Sequence, residues 1–146
     1  MTTKANDEAG LSPEQYAAIA DFRHRLRRFL AFSAEAATEA GLPPQQHQAL
    51  LAIAGHVGDE APSVGMLARQ LMVAANSAAE LVRRMEQGGL VTKTAAADDR
   101  RRTELALTPK AEAILRRLTV AHLDELRALE PALVRALGRL DRTSRG

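Results

Sequence analysis

The sequence predicts a mainly α-helical fold with one small two-stranded β-hairpin. Apolar residues make up 46% of the 146 residues but aromatic residues only 3%, so the core must consist of Leu, Ala, Val and Ile, which favours helices. Apolar side chains recur at helical spacing along most of the chain, whereas apolar and polar residues alternate over residues 103–108. At this length we expect one domain with a sizeable core.

Both ends of the chain are predicted to be helices that join two copies of the protein. A Ser-Pro pair at residues 12–13 starts the first helix, which runs to about Ala40, and a Thr-Pro pair at residues 108–109 starts the second region. Pro131 is expected to break that region into two helices. The apolar stripes are too extensive for one protomer to bury. We therefore assign residues 12–40 and 109–142 to dimerisation, and expect residues 1–11 to be frayed.

The segment between these regions, residues 43–108, is predicted to contain a helix-turn-helix. After the second helix of the chain, Ser63 caps a short third helix. A turn follows, and Asn76 or Ser77 caps the fourth helix. The Gly88-Gly89 pair supplies the left-handed conformation that ends it.

A hairpin with a charged tip follows the helix-turn-helix. Strands are predicted over residues 90–94 and 103–108, and the tip carries Asp98, Asp99 and the three arginines Arg100, Arg101 and Arg102. This order of elements is a winged helix-turn-helix with flanking dimerisation helices. In such a protein the second helix of the motif fits the major groove of duplex DNA, and a basic hairpin beside it can reach phosphates or the minor groove.

The charge distribution favours a nucleic-acid partner for this segment. Residues 1–60 carry 5 Lys or Arg and 8 Asp or Glu, whereas residues 61–102 carry 7 and 4. The positive excess therefore begins where the helix-turn-helix begins, as expected of a DNA-binding surface. A solvated, Arg-rich surface would give the same count.

Several other classes of protein lack support in the sequence. The chain has no cysteine, which excludes disulfides, Cys-ligated zinc and Cys nucleophiles, and its four histidines show no metal-ligand spacing. No catalytic constellation or phosphate-binding glycine loop is present, so we expect neither an enzyme nor a cofactor. No apolar run approaches the roughly 20 residues of a membrane span, and no signal peptide is recognisable. We expect a soluble, cytoplasmic protein.

Three segments in the central part of the chain form a recognisable pattern. Two lie in the predicted helices: Ser63-Val64-Gly65-Met66-Leu67-Ala68 and Leu81-Val82-Arg83-Arg84-Met85-Glu86-Gln87-Gly88-Gly89-Leu90-Val91. The third and most specific is Asp99-Arg100-Arg101 followed by Leu105-Ala106-Leu107-Thr108. From about Gly41 to Ala113 the chain thereby resembles the MarR family (multiple antibiotic resistance regulators) of bacterial transcription regulators, and the third segment is similar to the wing signature of that family.

The resemblance implies a homodimeric repressor on a pseudo-palindromic DNA operator, with binding controlled by a small-molecule effector. It also implies that Asp99 braces the wing by pairing with nearby basic residues, and that Arg101 reaches the minor groove or its phosphates. The start of the fourth helix, residues 76–80, would face base edges. The DNA-binding candidates are Ser63, Asn76, Ser77, Glu80, Arg83, Arg84, Arg100, Arg101 and Arg102.

Glu80 departs from the family pattern, in which a basic or amide residue is common at this position. Its carboxylate could accept a hydrogen bond from cytosine N4. Alternatively, it could pair with Arg83 or Arg84, three and four residues further along the helix. We favour the pairing, because it is local and requires no particular operator.

Two further hypotheses concern the effector and the function as a whole. Arg25, Phe29 and His47 are candidates for an effector pocket. The alternative function is a dimeric helical protein-interaction module that has lost specific DNA binding. Its support is the run of small residues at the start of the fourth helix, which leaves few long side chains to contact bases: Ala74, Ala75, Ala78 and Ala79.

Overall fold

The computed structural model describes residues 10–141, and the structural statements below refer to this part of the chain. In chain order its elements are α1 (Pro13–Glu39), α2 (Pro44–Ala54), α3 (Val64–Leu71), α4 (Ala75–Gln87), β1 (Val91–Ala95), β2 (Thr103–Leu107) and α5 (Pro109–Asp141). The predicted fold class is confirmed, because one two-stranded sheet accompanies the helices. The predicted frayed segment, residues 1–11, lies almost entirely outside the described residues.

The chain divides into two compact units. The first, which we call the lobe, comprises residues 33–120 and contains α2, α3, α4 and both strands together with the adjoining ends of α1 and α5. The second, which we call the helical unit, consists of the remaining parts of α1 and α5, described over residues 10–32 and 121–141.

The core of the lobe is built from the apolar faces of its helices and the first strand. Its largest fully buried side chains are Leu50, Leu67, Met85, Val82 and Val91. Each side chain of this size contributes about 1.5–3 kcal/mol when fully buried. The buried faces of α3 and α4 fix the two helices of the motif against each other.

The two strands pair antiparallel, with Val91 opposite Leu107 and Ala95 opposite Thr103. The first strand begins one residue later than predicted, because the Leu90 N–H donates to the Met85 carbonyl at 2.9 Å and still closes the end of α4. On the other side of β2, the Leu105 N–H donates to the Pro62 carbonyl at 2.7 Å. The segment before α3 is thereby attached to the wing.

The prediction that Pro131 breaks the last helix is wrong. Helix α5 runs without interruption from Pro109 to Asp141. A proline inside a helix lacks the N–H that would donate to the carbonyl four residues earlier, and this cost is tolerated when tertiary packing holds the flanking turns. Here Ala132 and Ala136, which follow the proline, are both buried in the helical unit.

Candidate nucleic-acid interface

The turn between α3 and α4 depends on one residue in the left-handed conformation. Met72 has φ 56° and ψ 45°, and the following Val73 N–H donates to the Ala68 carbonyl at 3.0 Å. A non-glycine residue incurs a cost of about 1–2 kcal/mol in this conformation, which the helix-ending hydrogen bonds offset. The Met72 side chain is 91% exposed and stands beside the start of α4.

The first turn of α4 leaves its polar side chains exposed. The predicted cap at Asn76 or Ser77 is wrong, because the N-cap is Ala74, which makes no side-chain hydrogen bond, and the helix starts at Ala75. Asn76 and Ser77 therefore lie within the first turn, on the exposed surface. Here unpaired backbone N–H groups and two short polar side chains are available to an anion or a base edge.

Unlike Asn76 and Ser77, Ser63 uses its side chain to cap a helix. As predicted, it is the N-cap of α3, and its Oγ accepts a hydrogen bond from the Met66 N–H at 3.1 Å. Its backbone forms an isolated bridge with Glu104 of β2. Ser63 thus fixes the start of α3 against the wing.

Glu80 forms the local ion pair that helix spacing predicts. Its Oε2 accepts from Arg83 Nε at 2.9 Å and its Oε1 from Arg83 Nη2 at 2.5 Å, while Arg84 Nε lies 3.3 Å from Oε1. The hydrogen bond from Arg83 is the main reason why the pKa of Glu80 is lowered to about 2. The same contact raises the pKa of Arg83. At physiological pH the Glu80 carboxylate is therefore ionised, and the positive charges of Arg83 and Arg84 neutralise it.

The wing is joined to α4 by a short and well-defined connection. Gly89 has φ +72°, and the Thr108 Oγ1 donates to its carbonyl at 2.6 Å. The Ala111 N–H in turn donates to the same Thr108 oxygen at 3.2 Å, so that the predicted cap of α5 is confirmed. Lys93 of β1 lies 3.5 Å from Glu86 of α4. These contacts fix the wing relative to the last turn of α4.

The tip of the wing presents two arginines to solvent. The Asp99 Oδ1 accepts from the Arg101 backbone N–H at 3.0 Å, and the Asp99 carbonyl accepts from the Arg102 N–H at 3.1 Å. The Asp99 contact thus differs from the expected pairing with a basic side chain: a short Asp side chain readily accepts from the backbone two residues on. Arg100 and Arg101 are exposed around this turn.

Arg102, by contrast, is surrounded by carboxylates. Its Nη2 donates to Asp98 Oδ1 at 2.9 Å and lies 3.8 Å from Glu104, and its Nη1 donates to Glu60 at 3.3 Å. Its side chain is only 26% exposed. Desolvation lowers the pKa of Arg102, but the three carboxylates outweigh it and the net pKa is raised. The cluster of Glu60, Asp98, Arg102 and Glu104, which we call the wing brace, joins the α2–α3 loop to both sides of the hairpin.

The sequence of the lobe matches a known family. A family model described as MarR family matches residues 40–102, which span α2, both helices of the motif and the first half of the wing. Residues 40–102 of this chain are thus similar in sequence to the MarR family. No curated protein sequence matches the chain.

Solved structures of MarR-family proteins share the fold. AbsC, a MarR family transcriptional regulator from Streptomyces coelicolor, is 20% identical, with a TM-score of 0.69 and 93% of each chain covered. MepR, a transcription regulator of the Staphylococcus aureus multidrug efflux pump MepA, is 17% identical with a TM-score of 0.67, covering 82% of this chain and 95% of MepR. The structure of S. aureus MepR in complex with DNA is 18% identical, with a TM-score of 0.61, and covers 86% of this chain and 84% of MepR.

The three candidate effector residues do not lie in one unit. Arg25 and Phe29 of the helical unit line a cavity of about 160 Å³, where Arg25 Nε also donates to Asp21 at 3.1 Å. The ring of Phe29 packs edge-on against His122, with 5.9 Å between centroids. His47 is a buried residue of the lobe.

A larger cavity in the lobe was not predicted from the sequence. It has a volume of about 670 Å³ and lies where the end of α2, strand β2 and the first turns of α5 meet. Leu105, Leu107 and Leu115 form apolar walls, and Glu112 and Arg116 supply charges. Sequence periodicity gives no signal for it, because the walls come from segments that are distant in the chain.

Among residues 10–141, no group of three or more His, Cys, Asp or Glu side chains is arranged so that it could hold a metal ion. In the same range, no helix combines the length and the apolar character that crossing a bilayer requires.

Proposed function

We propose that the chain is a DNA-binding transcription regulator that acts as a homodimer and represses transcription from a pseudo-palindromic operator. The observation that carries this proposal is the outward face of the helix-turn-helix together with the wing. Helix α4 exposes Asn76, Ser77, Arg83 and Arg84, and the hairpin tip exposes Arg100 and Arg101. A helix with polar side chains and a basic tip beside it are the elements that contact the major groove and the phosphates in winged helix-turn-helix proteins.

The site residues have different roles in this proposal. Arg100 and Arg101 contact phosphates or the minor groove, because nothing else in the described chain engages their guanidinium groups and the Asp99 turn presents them to solvent. Arg102 holds the wing in place and does not contact DNA, since its Nη1 and Nη2 groups are directed to three carboxylates. Ser63 positions α3.

Exposed apolar residues of the helical unit support the homodimer. Large side chains that would be covered by a second copy include Tyr16 (59% exposed), Leu30 (54%), Val134 (61%) and Leu137 (52%). Monomeric proteins rarely expose so many large apolar side chains on one pair of helices, and obligate dimer interfaces commonly bury 2,000 Å² or more, roughly. Sedimentation at micromolar concentration should give the mass of a dimer; a folded monomer would contradict this part of the proposal.

The lobe cavity supports control by a small-molecule effector. Its volume of about 670 Å³ lies within the range of about 300–1,000 Å³ that is usual for ligand sites, whereas the 160 Å³ cavity beside Arg25 and Phe29 is smaller. A ligand in this cavity would contact β2, the returning strand of the wing, and so change the position of the wing. An Ala106→Trp change, at an exposed residue that lines the cavity, should block the cavity and abolish ligand control while leaving a folded dimer; retained control would place the effector elsewhere.

The proposal is tested by titrating the full chain against a labelled duplex that contains its own upstream region, with a scrambled duplex as competitor. We expect specific binding, one dimer per operator, and repression of a reporter that carries the same region. If the chain binds no duplex more tightly than an unrelated protein of the same net charge, the protein-interaction module becomes the better description.

A further inference from the structure

The outward face of α4 carries a continuous polar line. The inward side is formed by Ala78, Leu81, Val82 and Met85, all buried. The opposite side, at spacings of four and three residues, consists of Asn76, Glu80 and Arg83. In the proposed DNA complex this is the side that faces the floor of the major groove.

On this line, Glu80 holds the Arg83 guanidinium in one orientation. The two oxygens of Glu80 accept from Nε and Nη2, along one edge of the guanidinium plane. No contact within the described chain engages Nη1. An arginine has five N–H donors in a rigid fork, so the pair leaves the end of the guanidinium group, with Nη1–H and the second Nη2–H, free to donate in parallel.

Two parallel donors in a fixed plane match the two acceptors of guanine. Guanine presents O6 and N7 in the major groove, and bidentate donation from arginine to these atoms is the commonest specific contact between proteins and DNA. A lysine in the same place would be a point charge without the planar fork.

The local charge disfavours phosphate as the partner of this arginine. A phosphate beside Arg83 would also lie close to the ionised Glu80 carboxylate, whose charge Arg83 already neutralises. The edge of a base is neutral and incurs no such repulsion. In addition, Ala75 and Ala79 beside the polar line are exposed and small, which allows the helix to approach the bases closely.

We infer that Arg83 recognises a guanine in each half-site and that Glu80 is the positioning residue that directs it there. The inference rests on the proposed function, since it concerns the specificity of the same helix. Asn76 lies seven residues earlier on the same line, about 10 Å along the helix, so an adenine that it pairs with would lie about three base pairs from this guanine.

The test begins with selection of the preferred half-site from randomised duplexes by the full chain. Single-base variants of that half-site, and a duplex with 7-deazaguanine at the selected guanine, are then titrated with four proteins: wild type, Arg83→Ala, Glu80→Gln and the control Arg84→Ala. All three changes are on the exposed surface of a helix and should leave the fold intact, which circular dichroism checks.

We expect the wild type to discriminate against other bases at one position by about 5- to 150-fold, corresponding to about 1–3 kcal/mol. Arg83→Ala and the loss of guanine N7 should each remove most of this preference, and Arg83→Ala should be insensitive to 7-deazaguanine. Glu80→Gln should reduce the preference at the same position and leave the other positions unchanged. Arg84→Ala leaves the bidentate pair of Arg83 and Glu80 in place, so it should retain the preference at this position even if it weakens binding to all sequences equally.

Three results would overturn the inference while leaving the proposed function intact. Arg83→Ala could weaken binding to all sequences equally, which would make it a phosphate contact. Glu80→Gln could change the preference when Arg83→Ala does not, which would mean that Glu80 itself contacts cytosine. The wild type could select half-sites that have no preferred guanine. If instead the wild type selects no sequence at all, the proposed function fails, and the inference fails with it.

Discussion

Helix α4 and the wing fix their arginines in different ways. In α4, Glu80 binds Arg83 and Arg84 from the same helix, three and four residues away. In the wing, Arg102 is bound by Glu60 from a loop 42 residues earlier, as well as by Asp98 and Glu104. The first arrangement follows from helix geometry alone, whereas the Glu60 contact of the second forms only once the lobe has folded. Orientation of α4 side chains is therefore local, and orientation of the wing depends on tertiary structure.

The largest effect is expected from the wing arginines that the brace leaves exposed. Arg101→Ala should weaken specific and non-specific DNA binding alike, by about tenfold or more, because a charge-assisted hydrogen bond contributes about 1.5–3 kcal/mol. The slope of log K against log salt should become shallower by about 0.9 for each phosphate that the variant no longer neutralises. Arg127→Ala, an exposed arginine of the helical unit paired with Asp124, is the control and should change neither quantity. A change confined to sequence preference would contradict the assignment.

The wing brace is expected to have a smaller effect. Arg102→Ala leaves the carboxylates of Glu60, Asp98 and Glu104 without their common partner, so the wing should become more mobile and amide hydrogen exchange at residues 96–102 should accelerate. DNA affinity should fall severalfold on all sequences, because a mobile wing must be ordered on binding.

The matched control for the brace is Glu60→Gln, which removes one of the three carboxylates. It should accelerate exchange less than Arg102→Ala. Equal exchange in wild type and Arg102→Ala would show that the hairpin is held by its strand pairing alone.

The role of Gly89 in the connection between α4 and the wing can be tested by measuring the free energy of unfolding of variants. Gly89→Ala should lower the free energy of unfolding by about 1–2 kcal/mol, because an L-residue is strained at φ +72° although nothing lies within 4 Å of the added methyl group. Gly65→Ala in helix α3 is the control, since its methyl group would make only ordinary contacts at 3.7 and 3.8 Å. It should be neutral or stabilising by up to about 1 kcal/mol. Chemical denaturation of the two variants measures both values, and equal values would remove the role assigned to Gly89.

The smallest effect concerns the pH dependence of the α4 pair. The folded-state pKa of Glu80, about 2, lies below its ordinary value of 4.5, so the pair stabilises the protein above pH 4.5 and this contribution is lost as the pH falls towards 2. The amount is small, because both side chains of the pair are about half exposed to solvent, which screens their interaction. NMR titration of the Glu80 carboxyl carbon should give a pKa well below 4.5, which rises towards the ordinary value in Arg83→Ala. An unchanged pKa in that variant would show that Arg83 does not hold the carboxylate.

The parts of the molecule that could be predicted from the sequence are those determined by local rules. The inward residues Leu67, Val82 and Met85, the cap at Ser63 and the Glu80 pairing all follow from helical spacing or from a side chain's own hydrogen bonds. Each of these features forms within one or two turns of the chain.

The features that sequence reasoning missed depend on contacts distant in the chain. Pro131 is tolerated inside α5 because the neighbouring alanines are packed. Glu60 joins the wing because the Pro62 carbonyl binds β2 and brings the loop beside the hairpin. No local pattern distinguishes Arg102, which is braced, from Arg101, which is exposed.

The most direct test of the account is an NMR map of the interface on the full chain. Adding a duplex that contains the selected half-sites should shift backbone amides of residues 74–84 and 97–101, together with the guanidinium signals of Arg83, Arg100 and Arg101. The Arg102 guanidinium protons should keep their protection from exchange with solvent. The backbone amide signals of residues 13–30 should show no shift of the kind that direct contact with the duplex causes. Shifts concentrated in the helical unit, with α4 and the wing tip unchanged, would contradict the central claim.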